Sequence, residues 1–192
     1  STVSSVRFSV SSIRNPISQA TPAAITIRLY ISTYLSLQGT LSLGPYTPNS
    51  ITYTATQTSH YMAETTSLSM TVTTSNLIPP NSYLSSPGTL AITIPNEYTA
   101  SSIGCESVVG ITNFLCSFSS GILRITGNSF QTSITLSLSG LTNPNVSLSS
   151  QFSLISYDSN NNVIDVSTTN YKYVAPCTIP CRSCTTTLSQ CL

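Results

Sequence analysis

Ser133-Ile-Thr-Leu-Ser-Leu-Ser-Gly-Leu-Thr-Asn-Pro144 decides how this chain reads, because a faint copy lies near its start: Ser5-Val-Arg-Phe-Ser-Val-Ser-Ser-Ile-Arg-Asn-Pro16. Val6 answers Ile134, Phe8 answers Leu136, Val10 answers Leu138 and Ile13 answers Leu141, and both stretches end in Asn-Pro. Apolar residues at every second place mark half-buried β-strands. A second strand-like segment follows each copy, Ile25 to Tyr30 in the first and Phe152 to Tyr157 in the second. The repeat offset of 128 residues implies two related domains rather than a solenoid unit. More than a hundred residues precede the later copy and four precede the earlier one. The first domain is therefore expected to bring only its C-terminal strands. Half a sandwich leaves a core face and edge backbone groups uncovered, so something else must complete it.

Composition narrows the class. Charged residues make up 6% of the 192 residues, against roughly 25% in an ordinary soluble domain. Serine and threonine supply about a third of the chain, where average composition is led by Leu, Ala and Gly. With 40% hydrophobic residues, ten Tyr and five Phe, the chain has the means to build cores and is not read as disordered. The net charge is +1 and the basic residues are scattered, so no patch exists to attract nucleic acid or anionic lipid. No apolar run approaches the roughly 20 residues of a membrane helix, and no membrane insertion is expected of this segment. Six cysteines in so uncharged a chain point to an oxidising, extracellular or cell-surface location. The chain starts at Ser1 without Met and is read as a processed or partial product.

Helical periodicity is almost absent. Alternation predicts strands at 3–11, 24–31, 40–43, 51–56, 67–74, 89–94, 108–118, 122–126, 133–139, 151–157 and 163–173. Turn signals such as Gly44-Pro45, Pro79-Pro80-Asn81, Gly127-Asn128 and Asn143-Pro144 separate them. The fold class expected is all-β, built of immunoglobulin-like antiparallel sandwiches, one complete and one partial, with a short disulfide-rich tail. Residues 1–56 would be the partial sandwich, 57–63 a polar linker, 64–175 the complete sandwich and 176–192 the cysteine-rich tail.

Chemistry is sparse. Cys105 and Cys116 bracket an apolar segment and are expected to form a disulfide, with buried thiols as the alternative. Cys177, Cys181, Cys184 and Cys191 stand as C-x3-C-x2-C-x6-C, which admits three disulfide connectivities, with a four-cysteine zinc site as the rival. His60, the only histidine, has Glu64 as its only nearby carboxylate and no nucleophile with which to build a triad. Glu64, Glu97, Glu106, Asp158 and Asp165 form no evident acid–base pair, so no enzyme is expected. Asp158, Asn160 and Asn162, followed by Asp165, alternate as a calcium loop does. Val163 and Thr169 stand where such a loop needs Gly and Glu, and Asn and Asp suit a tight turn equally well. A turn is preferred, with no metal and no cofactor. Asn145-Val146-Ser147 is the sole N-glycosylation sequon, so an N-linked glycan is the one attached group the sequence suggests.

Several stretches together carry a resemblance: Thr65 to Thr71, Asn76 to Asn81, Gly88 to Pro95, the Cys105–Cys116 pair, Leu141-Thr-Asn-Pro144 and Tyr157 to Asp165. They resemble the immunoglobulin-like repeats of large protist surface proteins. The tail from Cys177 is similar to the opening of a furin-like, growth-factor-receptor-type cysteine-rich repeat, and it stops before such a module is finished. That resemblance implies the pairs Cys177–Cys184 and Cys181–Cys191, and an extracellular structural or adhesive protein.

The function expected is a subunit that self-assembles into a filament or coat, one chain completing the half domain of the next. Val6, Phe8, Val10, Ile25, Ile27 and Leu29 would form the assembly surface. Six such side chains left bare would forfeit on the order of 10 kcal/mol, comparable to a whole domain's stability. The alternative is an adhesin whose loops bind a glycan or protein. Two simpler readings of the N-terminal half remain: a cut from a longer chain, or residues 1–63 joining the second domain in one larger sandwich.

Overall fold

Strand β4 (Thr65–Thr74) shows how the sequence makes this fold. Thr66, Leu68, Met70, Val72 and Thr74 point inward and Ser69, Thr71 and Thr73 outward, an unbroken period of two. The structure is a computed structural model and describes residues 18–19, 24–42, 44, 46–80, 87–146, 148–169 and 171–174. Among these every regular element is a strand, so the chain is all-β. After β1 (Ile25–Ile31), β2 (Tyr34–Leu41) and β3 (Asn49–Gln57) come β4, β5 (Thr89–Thr93), β6 (Thr99–Thr112) and β7 (Leu115–Ser119). Then follow β8 (Ile122–Thr126), β9 (Ser129–Thr142), β10 (Ser153–Tyr157) and β11 (Val163–Ser167).

Nine strands form one hydrogen-bonded sheet in the order β6-β9-β4-β3-β11-β10-β5-β8-β7. All neighbours are antiparallel except β11 and β3. The first and last strands of that order, β6 and β7, are consecutive in the chain. Cys105 on β6 is bonded to Cys116 on β7, with the Cα atoms 6.2 Å apart. The sheet therefore curls until its two ends meet. Leu68, Met70, Ile134 and Leu136 from one flank face Leu90, Ile92, Leu123 and Leu154 from the other in a single core. Each of these is fully buried.

Aromatic rings close one end of this core. Tyr98 stands edge-on to Phe152 at 5.4 Å and to Tyr173 at 6.2 Å. Gln57 ties the plug to the strands. Its Nε2 donates to Tyr98 Oη at 3.0 Å and to Asn143 Oδ1 at 2.9 Å, and its Oε1 accepts from Tyr171 Oη at 3.0 Å.

Several expectations change. Residues 49–57 lie in the middle of the sheet, between β4 and β11, and do not belong to a separate half domain ending at residue 56. Residues 57–63 are not a free linker but a loop pinned to the body: Asn143 Nδ2 donates to the carbonyls of Ser59 and Tyr61, and Tyr173 Oη donates to that of His60. For residues 49–63, the larger-sandwich reading is the one that matches. The segment 108–118 is two strands, broken at Asn113, whose φ of 46° cannot continue a ladder. The two strands of the later repeat copy lie in different parts of the sheet, β9 between β4 and β6 and β10 between β5 and β11. Val6, Phe8 and Val10 lie outside the described residues, as do Cys177, Cys181, Cys184 and Cys191.

Candidate assembly surface

Residues 25–41 fold into a two-stranded antiparallel hairpin separate from the nine-stranded sheet. Its sequence alternates on both sides of a two-residue connection, and Ser32 in that connection takes a φ of 57°. Short hairpin loops need positive φ to match strand twist, and Ser tolerates it less well than Gly. Opposite residues share a face. Ile25 stands opposite Leu41, Ile27 opposite Gly39 and Leu29 opposite Leu37. One face is therefore apolar: Ile25, Ile27, Leu29, Leu37 and Leu41. The other carries Thr26, Arg28, Gln38 and Thr40, with Arg28 Nε donating to Gln38 Oε1 at 3.1 Å.

Among the described residues nothing covers the apolar face. Ile25, Ile27 and Leu29 are 40, 38 and 44% exposed, and Leu37 and Leu41 are 66 and 51% exposed. The structure thus brings three of the six expected assembly residues onto one face. Sequence reasoning missed their partners, Leu37 and Leu41. The strand expected at 40–43 reaches Leu41 but not Leu37, because Gly39 interrupts the apolar series that runs back through Leu37 to Leu35.

A second surface lies on the outside of the body. Thr52, Thr54 and Thr56 on β3 stand opposite Thr73, Thr71 and Ser69 on β4. These stand opposite Ser133, Thr135 and Ser137 on β9. Nine hydroxyl side chains make a three-by-three grid with no charge in it. Its spacing is about 4.8 Å across strands and about 7 Å along them. Sequence reasoning recorded the Ser/Thr excess but not the registers that align it. A cleft of about 330 Å³, lined by Ile94, Pro95, Tyr98, Phe118 and Ser120 among others, opens beside β7.

The remaining candidates fall into structural roles. Asp158 Oδ1 accepts from the backbone N–H groups of Asn160 and Asn162, both at 2.9 Å, and Oδ2 accepts from Ser18 Oγ at 2.8 Å. Asn162 Nδ2 donates to both oxygens. Burial alone would push the Asp158 carboxyl up, but these hydrogen bonds outweigh it and hold its pKa below the usual value. This is a hairpin turn between β10 and β11, with Asn161 at a φ of 61°. Asp165 is turned to another partner: it is buried and accepts from Asn76 N at 3.0 Å and Asn76 Nδ2 at 2.8 Å. Among the described residues no three His, Cys, Asp or Glu side chains are grouped to hold a metal. His60 is exposed, and the fold uses its carbonyl. Asn145 is exposed just after the buried Asn143 and Pro144. Among the described residues no helix is long and apolar enough to cross a membrane.

No family model matches the chain, and no curated protein is significantly similar to it. Among solved structures it is similar to the bacterial hydrophobin BslA, at 14% identity and a TM-score of 0.43 over 66% of this chain and 99% of that one. It is also similar to the chitin-binding domain of the hyperthermophilic chitinase from Pyrococcus furiosus, at 12% identity and a TM-score of 0.30 over 63% of this chain and 100% of that one. Neither likeness is close enough to transfer a function.

Proposed function

We propose that this chain is an extracellular structural module that associates with copies of itself through the β1–β2 hairpin. The observation that carries this reading is the open apolar face of Ile25, Ile27, Leu29, Leu37 and Leu41. A lone two-stranded hairpin is marginal in water and needs a surface to pack on. Both outer edges of the hairpin also carry backbone groups that accept an added strand. A second copy is the occupant favoured by composition. Every copy presents the same face, and a chain with 6% charged residues and a net charge of +1 meets its own kind with little repulsion.

The magnitudes set the mode of association. Covering five half-exposed aliphatic side chains contributes about 5 kcal/mol. Association costs roughly 4–15 kcal/mol in lost freedom. The face alone therefore gives weak pairs, and added strand pairing or repetition along a polymer must supply the rest. Head-to-tail contacts that do not close generate filaments.

The body supports an immunoglobulin-like reading. The order β3-β4-β9-β6 parallels strands A, B, E and D, and β5-β10-β11 parallels C, F and G. It departs in the added strands β7 and β8 beside β5 and in the parallel pairing of β3 with β11. The disulfide and the scarcity of charge favour a location outside the cell.

One observation favours a second reading, an adhesin for a neutral glycan: the uncharged hydroxyl grid on β3, β4 and β9. It has no aromatic platform and stands second. Electron micrographs of the purified full chain at micromolar concentration separate the two. Polymers without ligand support self-assembly, whereas dispersed monomers that bind a glycan array contradict it.

A further inference from the structure

The chain leaves the core abruptly after β9. Asn143 is 2% exposed and held by hydrogen bonds, Pro144 is buried, and Asn145 and Val146 then stand exposed on a bend. Two residues on, Leu148 bridges Val174 in antiparallel fashion. The pairing is fixed by Ser149 N donating to the Tyr173 carbonyl at 3.1 Å and Tyr173 N donating to Ser149 Oγ at 2.9 Å. Opposite residues in such a bridge share a face. Leu148 and Val174 are 52 and 63% exposed, so two aliphatic side chains stand together on the surface, and Val146, two residues before Leu148, is 45% exposed. Leu148 lies three residues after Asn145, the acceptor of the only sequon in the chain.

We propose that Asn145 carries an N-linked glycan whose first sugar covers the exposed Leu148–Val174 pair. N-Acetylglucosamine has the matching chemistry, with an acetyl methyl group and an apolar ring face beside its hydroxyls. In the transfer, Asn145 Nδ2 attacks the anomeric carbon of a lipid-diphosphate-linked oligosaccharide. The new N–C bond replaces the C–O bond to the diphosphate, which leaves with the electron pair, and the amide gives up one proton. The proposal rests on the extracellular reading above, because the donor is met on the secretory route.

The experiment is secretion of the full chain from a eukaryotic host behind a cleavable leader, which sends it along that route whatever its native location. Release of the glycan by an amidase converts Asn145 to Asp, a gain of about one dalton read by peptide mass spectrometry. Apolar-dye fluorescence is read before and after release. The expected result is predominantly modified Asn145 and a rise in dye binding on release. The same rise is expected in an Asn145→Gln variant that never meets the enzyme. In a Leu148→Ser/Val174→Ser variant the site remains modified and the rise disappears. Predominantly unmodified Asn145 in secreted material overturns the proposal and leaves the extracellular reading standing. A modified site whose removal leaves dye binding unchanged overturns the covering role.

Discussion

Gln57 and Asn143, 86 residues apart in sequence, meet side chain to side chain at 2.9 Å. The contact joins the end of β3 to the Asn-Pro that closes β9, and it turns an apparent surface turn signal into a buried hub. Asn143 accepts from Gln57, donates to the carbonyls of Ser59 and Tyr61, and its backbone N–H donates to the Glu64 carbonyl.

Replacement of Asn143 by Ala removes three side-chain hydrogen bonds and strands two carbonyls. At roughly 1 kcal/mol per bond, with a surcharge for buried unsatisfied groups, the loss is about 3 kcal/mol. Urea denaturation checks it, and a loss below about 1 kcal/mol means water replaces the hub easily.

Gly140 lies in β9 with a φ of 80°, and a Cβ there meets the Ser102 carbonyl on β6. A Gly140→Ala variant carries both backbone strain and a clash, so a loss of about 2 kcal/mol or more is expected. The same substitution at Gly39, which has open space around it, leaves body stability unchanged.

Reduction of Cys105–Cys116 frees the two ends of the sheet. The chain-entropy estimate for a closed loop of this length is about 3 kcal/mol. Thermal unfolding with and without reductant measures it, and equal midpoints contradict the role given to the disulfide in closing the sheet.

Stability against alkali follows from the aromatic plug. Burial pushes the Tyr98 hydroxyl well above its ordinary value, with Tyr171 and Tyr173 nearby adding to the effect, and burial also raises Tyr53, Tyr171 and Tyr173. Groups whose folded pKa is raised contribute stability that is complete below their unfolded pKa, about 10. That stability is lost as pH rises through the folded values. Ultraviolet titration is expected to show these four ionising only as the chain unfolds. A single transition near pH 10 for all ten tyrosines contradicts the packing.

The strands were legible wherever one face is buried: alternation located β4, β5, β8 and β10 almost to the residue, because burial imposes a period of two. It failed where the ladder slips. The first half of β6, with shifts between Ala100 and Gly104 and between Cys105 and Ser107, has no clean period to read. The domain boundary was misplaced because Gln57, Thr58, Ser59 and His60 are polar as a linker is polar, while the Gln57 side chain and the Ser59 and His60 carbonyls are held by Asn143 and Tyr173, 84 to 113 residues away in sequence. Of the open hairpin face, Ile25, Ile27 and Leu29 were legible as apolar alternation. Leu37 was missed because Gly39 interrupts the apolar alternation, so the strand expected at 40–43 took in Leu41 but began too late for Leu37.

The central claim is that the hairpin face joins copies, and sedimentation velocity of the full chain beside a Leu29→Glu/Leu37→Glu variant tests it most directly. Both residues lie outside the nine-stranded sheet, so the body and its disulfide stay intact in the variant. The account predicts species that grow with concentration for the natural chain and a monomer for the variant. A natural chain that stays monomeric at high concentration, or a variant that assembles just as well, contradicts it.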